Sequence, residues 1–233
     1  MANILLTGAS RGIGAAARTL LEQSGHTVIG QSTAGADGLI AADFAQPRAA
    51  DALWAAALAQ AGGRIDVLVN NAGVFEAAPI DDADGFAATW ARSHAINLQS
   101  AADLCRHAVL HFQENGGGRI INVASRAGHR GDSPQHWHYA AAKGGMLAMT
   151  KSIARGYAAQ NILAFAITPG FTMTGMAEEY LASRGGDKLL ADIPLGRVAM
   201  PEEVAEMIRW LASDAPASMT GATLDINGAS YVR

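Results

Sequence analysis

The sequence predicts one α/β domain built on a parallel sheet of about seven strands, doubly wound with helices on both faces. Three observations carry this. Short apolar runs alternate with longer helical patterns along the chain. A glycine-rich turn follows the first apolar run and opens straight into a helix. The chain has 233 residues, 50% of them hydrophobic, which is enough to bury one sizeable core. No repeat, low-complexity tract or Pro/Ser-rich linker divides it.

The elements follow in order. Ile4-Leu5-Leu6 reads as the first strand, and residues 15–23 as the helix behind it. Thr27-Val28-Ile29-Gly30 is the second strand and Leu39-Ile40-Ala41 a short third. Residues 48–61 are Ala-rich and helical, and residues 65–69 form the fourth strand. Residues 87–114 read as one long helical segment, stopped by Gly116-Gly117-Gly118. Residues 119–123 are the fifth strand, 139–159 a helix, 161–168 the sixth strand and 224–226 the seventh. Strands joined through helices imply right-handed crossovers and parallel pairing. Residues 171–195 are the least regular stretch. With Met173, Met176, Tyr180 and Leu181 on an apolar side and Gly185-Gly186 as a hinge, they read as a mobile substrate lid. A pair of plain surface helices is the alternative.

Composition narrows the function classes. Charged residues make up 16% and the net charge is −4, so there is no general attraction to nucleic acid. The single cysteine, Cys105, lies in an apolar helical stretch and reads as a buried structural thiol. The N-terminus shows no signal-peptide pattern. No apolar run reaches the roughly 18–20 residues needed to span a bilayer. A cytoplasmic enzyme, without membrane attachment, is expected.

The first strand ends in Thr7-Gly8-Ala9-Ser10-Arg11-Gly12-Ile13-Gly14. Glycines let a backbone turn sharply and approach a pyrophosphate, and the following helix N-terminus offers free N–H groups to that anion. Cofactor residues at this end are therefore Gly8, Ser10, Arg11, Gly12, Ile13 and Gly14. Dinucleotide folds that take NAD usually carry a carboxylate after the second strand, for the ribose 2′-hydroxyl. Here the stretch reads Gly30-Gln31-Ser32-Thr33. Arg11, helped by the Ser10 and Thr33 hydroxyls, would instead pair with a 2′-phosphate, which points to NADP(H). The alternative for Arg11 is plain solvation.

Tyr139-Ala140-Ala141-Ala142-Lys143 places a phenol and an ammonium one helical turn apart on one face. A phenol with an ordinary pKa near 10 is a poor acid or base at neutral pH, and a nearby positive charge favours the phenolate. Ser125 follows the fifth strand, at the end where open sheets bind ligands, and can polarise a carbonyl. Asn97 sits mid-helix, where Asn is disfavoured; it would bend the helix and hold a water relaying protons to Lys143.

Together with Asn70-Asn71-Ala72-Gly73 and Pro169-Gly170, these motifs occur in the order found in short-chain dehydrogenases/reductases, which the chain resembles along essentially its whole length. Ile193-Pro194-Leu195-Gly196-Arg197 and Pro201-Glu202-Glu203-Val204-Ala205 continue the match. Within that family it most resembles the 3-oxoacyl-acyl-carrier-protein reductases. The resemblance implies a Rossmann-type sheet and a catalytic set of Asn97, Ser125, Tyr139 and Lys143. It implies that Asp43 and Phe44 lie against the adenine, and that Asn70, Ala72 and Gly73 line the adenosine ribose and brace the central strand. It implies that Pro169, Gly170, Thr172 and Thr174 wrap the nicotinamide, with Tyr139 and Lys143 also touching the cofactor. It implies a homotetramer or homodimer that reduces a ketone, in the first place a 3-oxoacyl thioester on acyl-carrier protein, with another small carbonyl or alcohol substrate as the alternative. For a carried thioester, Arg126, Arg130, Arg184 and Lys188 are candidate docking cations.

The chain departs from the family pattern between Ser125 and Tyr139. There it carries His129, Arg130, Asp132, His136, Trp137 and His138. Hydride chemistry needs no metal, so no metal site is expected. The loop reads as a substrate-contacting wall, with packing at a subunit interface as the alternative. The segment between the second and third strands is also short, which would open the adenosine pocket. A non-catalytic NADP-sensing module, a dehydrogenase working in the oxidative direction and a dehydratase or epimerase are the rival functions.

Overall fold

Alternation of apolar residues decides which face each strand gives to which helices. In the computed structural model, which describes residues 1–174 and 186–233, Ile4 and Leu6 of β1 (Asn3–Leu6) pack on one side of the sheet and Leu5 on the other. Strands β4 (Val67–Asn70) and β5 (Gly118–Val123) alternate in step. Val67, Val69, Ile121 and Val123 join Ile4; Leu68 and Ile120 join Leu5.

The first side is covered by α1 (Gly12–Gln23) and α8 (Pro201–Ser213), through Ala17, Leu21, Val204, Ile208 and Leu211. The second is covered by α2 (Ala49–Gln60), α4 (Ser100–Glu114) and α6 (Trp137–Tyr157), through Trp54, Leu104, Phe112 and Ile153. Each fully buried side chain of this size contributes about 1.5–3 kcal/mol. The two cores therefore clamp the sheet from both faces.

The sheet has seven strands in the order β3-β2-β1-β4-β5-β6-β7, all parallel, completed by β2 (Thr27–Ser32), β3 (Ile40–Ala41), β6 (Ile162–Pro169) and β7 (Thr223–Ile226). The chain runs outward from β1 to β3, then returns to β4 and runs outward the other way. The strand ends on either side of that reversal form the ligand crevice of a doubly wound sheet. The domain is single and Rossmann-type, as the pattern predicts. No helix among the described residues is long and apolar enough to cross a membrane.

Two features differ from the sequence reading, and a third, the short β2–β3 connection, follows it. The expected helix over 87–114 starts earlier, as α3 (Ala83–His94), because the Asp82 carboxylate accepts the Gly85 N–H at 3.0 Å and caps it. It is then interrupted by a π-helical turn, Ala95–Gln99, before α4. Parallel strands usually need a crossover of about a dozen residues, yet only residues 33–39 join β2 to β3, without a helix. Positive φ at Gly35, Asp37 and Gly38 makes that turn, and Ser32 Oγ accepts the Gly35 N–H at 3.0 Å. Helix α8, with Pro201 at its first turn, is an element the strand-and-helix reading omits. Of the expected lid, residues 175–185, including Met176, Tyr180, Leu181, Arg184 and Gly185, lie outside the described residues, as does the Lys188 side chain. The described remainder holds the Thr172–Ala199 bridge and a short helix, α7 (Gly186–Ala191).

Candidate active site

At the start of α1 the backbone itself forms the site. Gly8 has φ +66°, and a Cβ there would stand 2.9 Å from Ala72 Cα; a Cβ on Gly14 would stand 1.9 Å from the Gly8 carbonyl oxygen. Only glycine allows the turn and the helix to close this tightly. Thr7 Oγ1 accepts the N–H groups of Asn71 and Ala72, both at 3.0 Å, and Asn71 Nδ2 donates to the carbonyls of Thr7 and Gly8. The turn after β1 is thus stitched to the loop after β4. Gln31, buried at the end of β2, accepts the Gly8 N–H at 2.9 Å and donates to the Ala42 carbonyl at 2.7 Å.

This end fits a dinucleotide pyrophosphate. No side chain caps α1 and no acidic residue stands in its first turn, so its N–H groups and dipole face the crevice uncompensated. A Cβ on Gly12 would touch Thr174 at 2.9 Å, so the loop after β6 closes over the same turn. Ser10, Arg11 and Thr33 are all exposed beside it.

Three residues that the resemblance places at the cofactor have definite surroundings. The Phe44 ring turns into the core with Trp54 and Leu53, which leaves only its backbone for an adenine; the Asp43 carboxylate accepts its own loop's Ala45 N–H at 3.0 Å. Asn70 is buried and donates to Asn122 Oδ1 at 2.8 Å, and Asn122 donates to Thr150 Oγ1 at 2.8 Å. Its side chain braces the central strands. Gly73 lines the crevice, whereas Ala72 packs against the core.

A cavity of about 480 Å³ runs from Ile13 past Gly73, Pro169, Gly170, Thr172 and Thr174 to Ser125, Tyr139 and Lys143. Ser125 Oγ accepts the Ala127 N–H at 3.1 Å and is hydrogen-bonded to Tyr139. Lys143 is 3% exposed, and its Nζ donates to the Val123 carbonyl at 2.8 Å. Burial pushes the ammonium down from 10.5 to about 8. Burial also pushes the Tyr139 phenol up to about 12, against the pull of the Ser125 hydrogen bond. The positive charge of Lys143 pulls the phenol the other way. Its Nζ lies 5.9 Å from the phenol ring centroid, and desolvation outweighs it in the protein alone.

Asn97 lies in the π turn, fully buried. Its Oδ1 accepts the Val74 N–H, and its Nδ2 donates to the Val74 carbonyl, each at 3.0 Å, and to Ser93 Oγ at 2.9 Å. It therefore clamps the loop after β4 rather than touching Lys143. The backbone of Gly73 passes between them, its Cβ position 2.8 Å from Asn97 Oδ1 and 3.7 Å from Lys143 Nζ.

The outer wall is aromatic. The Phe75 and His136 rings stack at 3.8 Å, and Phe75 meets Tyr139 edge-on at 4.9 Å. His136 Nδ1 is 2.7 Å from Ser133 Oγ, and burial lowers the His136 pKa. The histidines of this segment diverge. His138 is buried with Nε2 3.0 Å from the Glu76 carbonyl, and His129 stacks on Tyr231. Among the described residues no group of three His, Cys, Asp or Glu side chains could hold a metal. Asp132 and Arg126 also line the cavity, while Trp137 is half-exposed outside it. Asn71, Val74 and Phe75 are lining residues that the sequence reading does not assign to the site. The Asn-Asn-Ala-Gly motif contains the signal for Asn71; nothing local marks Phe75.

A family model described as enoyl-(acyl carrier protein) reductase matches residues 8–229. Cis-4-hydroxycyclohexanecarboxylate dehydrogenase of Sinomonas cyclohexanicum is 38% identical, over 96% of this chain and 94% of its own. The 3-oxoacyl-[acyl-carrier-protein] reductase of Vibrio cholerae is 35% identical, over 98% of this chain and 96% of its own. D-threitol dehydrogenase of Mycolicibacterium smegmatis is 33% identical, over 98% and 92%. The chain belongs to the short-chain dehydrogenase/reductase family, oxidoreductases of CH–OH and C=O groups that use nicotinamide cofactors.

Proposed function

We propose that the chain interconverts a ketone and a secondary alcohol with NADP(H), through Ser125, Tyr139 and Lys143. The hydrogen-bonded Ser125–Tyr139 pair in the cavity, one helical turn from Lys143, is the observation that carries this reading. A bound nicotinamide supplies or accepts the hydride. Ser125 donates to the substrate oxygen and polarises the carbonyl; Tyr139 gives that oxygen its proton. Lys143, held against the Val123 carbonyl with a pKa brought near 8, binds and releases a proton near neutral pH. Asn97 holds the Val74 loop that walls the cavity.

Two features support NADP(H) over NAD(H). Arg11 is exposed at the start of α1 beside Ser10, and Gln31 at the end of β2 is committed to Gly8 and Ala42. The fold then offers a 2′-phosphate a cation and offers a free 2′-hydroxyl no carboxylate there.

The 3-oxoacyl thioester implied by the family resemblance is one candidate substrate; a small free carbonyl compound is the other. Of the docking cations, the two with described side chains give the first no support. Arg126 is buried and Arg130 is paired with Asp192, so neither belongs to an open basic patch. A cytoplasmic homotetramer, with the Ala-rich α4 and α6 at an interface, accompanies this reading.

The test is loss of reduced-nicotinamide absorbance with acetoacetyl thioesters and a panel of small ketones, NADPH and NADH in parallel. Faster turnover with NADPH is expected. Tight NADPH binding with no turnover on any carbonyl would discard the enzymatic reading in favour of an NADP-sensing module.

A further inference from the structure

Resting on the oxidoreductase reading above, we propose that Arg126 is a specificity-determining residue of this site. Its substrate is an oxo acid, a ketone that carries a free carboxylate, and the product is the matching hydroxy acid.

Arg126 directly follows Ser125. Its N–H donates to the Pro169 carbonyl at 3.1 Å, which fixes its backbone between the ends of β5 and β6. Its side chain lines the cavity that holds Ser125 and Tyr139, and the residue is only 7% exposed. A guanidinium has five N–H donors and is costly to bury without acceptors. Among the described residues the one side-chain hydrogen bond of Arg126 goes to Asp192 Oδ2, at a long 3.5 Å. That same oxygen takes a shorter bond, 3.0 Å, from Arg130, which also reaches the Ser230 carbonyl.

Two guanidiniums therefore share one half-exposed carboxylate. With Asp132 nearby the charges around this wall balance, but the Arg126 donors are left short of acceptors. Asp132 also lines the cavity, but it is exposed and accepts the N–H of Ser133. The Phe171 ring lies 5.5 Å from the Arg126 guanidinium carbon and takes its face. The in-plane donors that Asp192 does not use suit a planar acceptor. The rest of the wall, Val74, Phe75 and Phe171, suits a short apolar body between the carboxylate and the ketone.

The test uses the whole protein with NADPH. Its substrates are 3-oxobutanoate, 4-oxopentanoate and 5-oxohexanoate, each beside its neutral amide. At least one acid is expected to exceed its amide in kcat/KM, and Arg126→Gln is expected to lower that acid by about 10–100-fold. The amide should change by less than about threefold, and Arg126→Lys should recover part of the loss. Asp192→Asn, which leaves Arg126 in place, should lower KM for the acid by releasing its competitor.

Equal use of acid and amide by the unaltered protein overturns the proposal, as does an equal loss of both in Arg126→Gln. A phosphate as the true ligand would also overturn it. It would show as a preference for acetoacetyl-coenzyme A over acetoacetyl-N-acetylcysteamine that disappears in Arg126→Gln, with none for the oxo acids. If no ketone turns over at all, it is the oxidoreductase reading that fails. Calorimetry with pentanoate against pentanamide then still decides the Arg126 assignment. Tighter binding of the acid, lost in Arg126→Gln, supports it; equal binding overturns it.

Discussion

The two ends of the cleft are built by different means. At the dinucleotide end the backbone carries the site. The positive φ of Gly8, the contact of Gly14 with the Gly8 carbonyl and the uncapped start of α1 all fall within residues 8–14. At the substrate end side chains carry it. Phe75, Ser125, Arg126, His136, Tyr139 and Phe171 come from the segments after β4, β5 and β6 and from the start of α6, and the sheet brings them together. A site made of backbone demands glycine at fixed spacing, whereas one made of side chains leaves each residue free to vary with the ligand. The first end therefore carries what the family shares, and the second what distinguishes this chain.

The largest expected effect falls at the substrate end. Tyr139→Phe removes the hydroxyl that Ser125 contacts while leaving the ring against Phe75. Turnover should fall by about 10²–10⁴-fold, with NADPH affinity, read by fluorescence titration, nearly unchanged. Retained turnover would mean that the proton comes from elsewhere, and the contrast between the two ends would lose its chemical basis.

Lys143 links the two ends, and its burial makes a stability prediction. Its folded pKa of about 8 lies below the ordinary 10.5, so between these values the unfolded chain holds more protons. Stability must then rise with pH across that window, by an amount of order 1–3 kcal/mol. Tyr139, raised from 10.0 to about 12, acts in the opposite sense and costs stability as pH climbs through 10–12. Melting temperature recorded from pH 7 upward should show the first limb, and Lys143→Met should flatten it. An unchanged slope in that variant would place the burial cost on another group.

The same contrast explains what was legible in the sequence. Strand number, the parallel sheet and the glycine turn follow from local pattern, because burial on both faces of a strand and tight turns restrict residue type wherever they occur. The joint placement of Ser125, Tyr139 and Lys143 follows from a strand end and a helical spacing. A disturbed helix at Asn97 also follows, from an Asn at mid-helix, but its π form at Ala95–Gln99 does not, because Asn97 also bonds the Val74 backbone, a contact across the chain. Nor does the role of Gln31, which reads as the absence of a carboxylate and proves to be a buried strut between Gly8 and Ala42. The stacking of Phe75 on His136 was equally hidden, since neither residue carries a local signal of the other. The helix-free β2–β3 connection was visible as shortness, but its path depends on positive φ at Asp37 as well as at two glycines.

The smallest predicted change tests the other end. Arg11 is exposed and caps α1 through its backbone position alone, since its side chain makes no cap hydrogen bond. Arg11→Ala should therefore leave melting temperature and kcat almost untouched. If the guanidinium meets a 2′-phosphate, the KM for NADPH should rise by about tenfold, the worth of one exposed charge-assisted contact. The KM for NADH, which lacks that phosphate, should stay where it is. The NADPH effect should also shrink as salt rises, because an exposed pair is screened within about 10 Å at 0.1 M. A parallel rise for both cofactors would instead trace to the backbone of the turn, making the dinucleotide end selective for pyrophosphate alone. Cofactor choice would then have to come from outside the glycine motif, as from the largely exposed 33–39 connection.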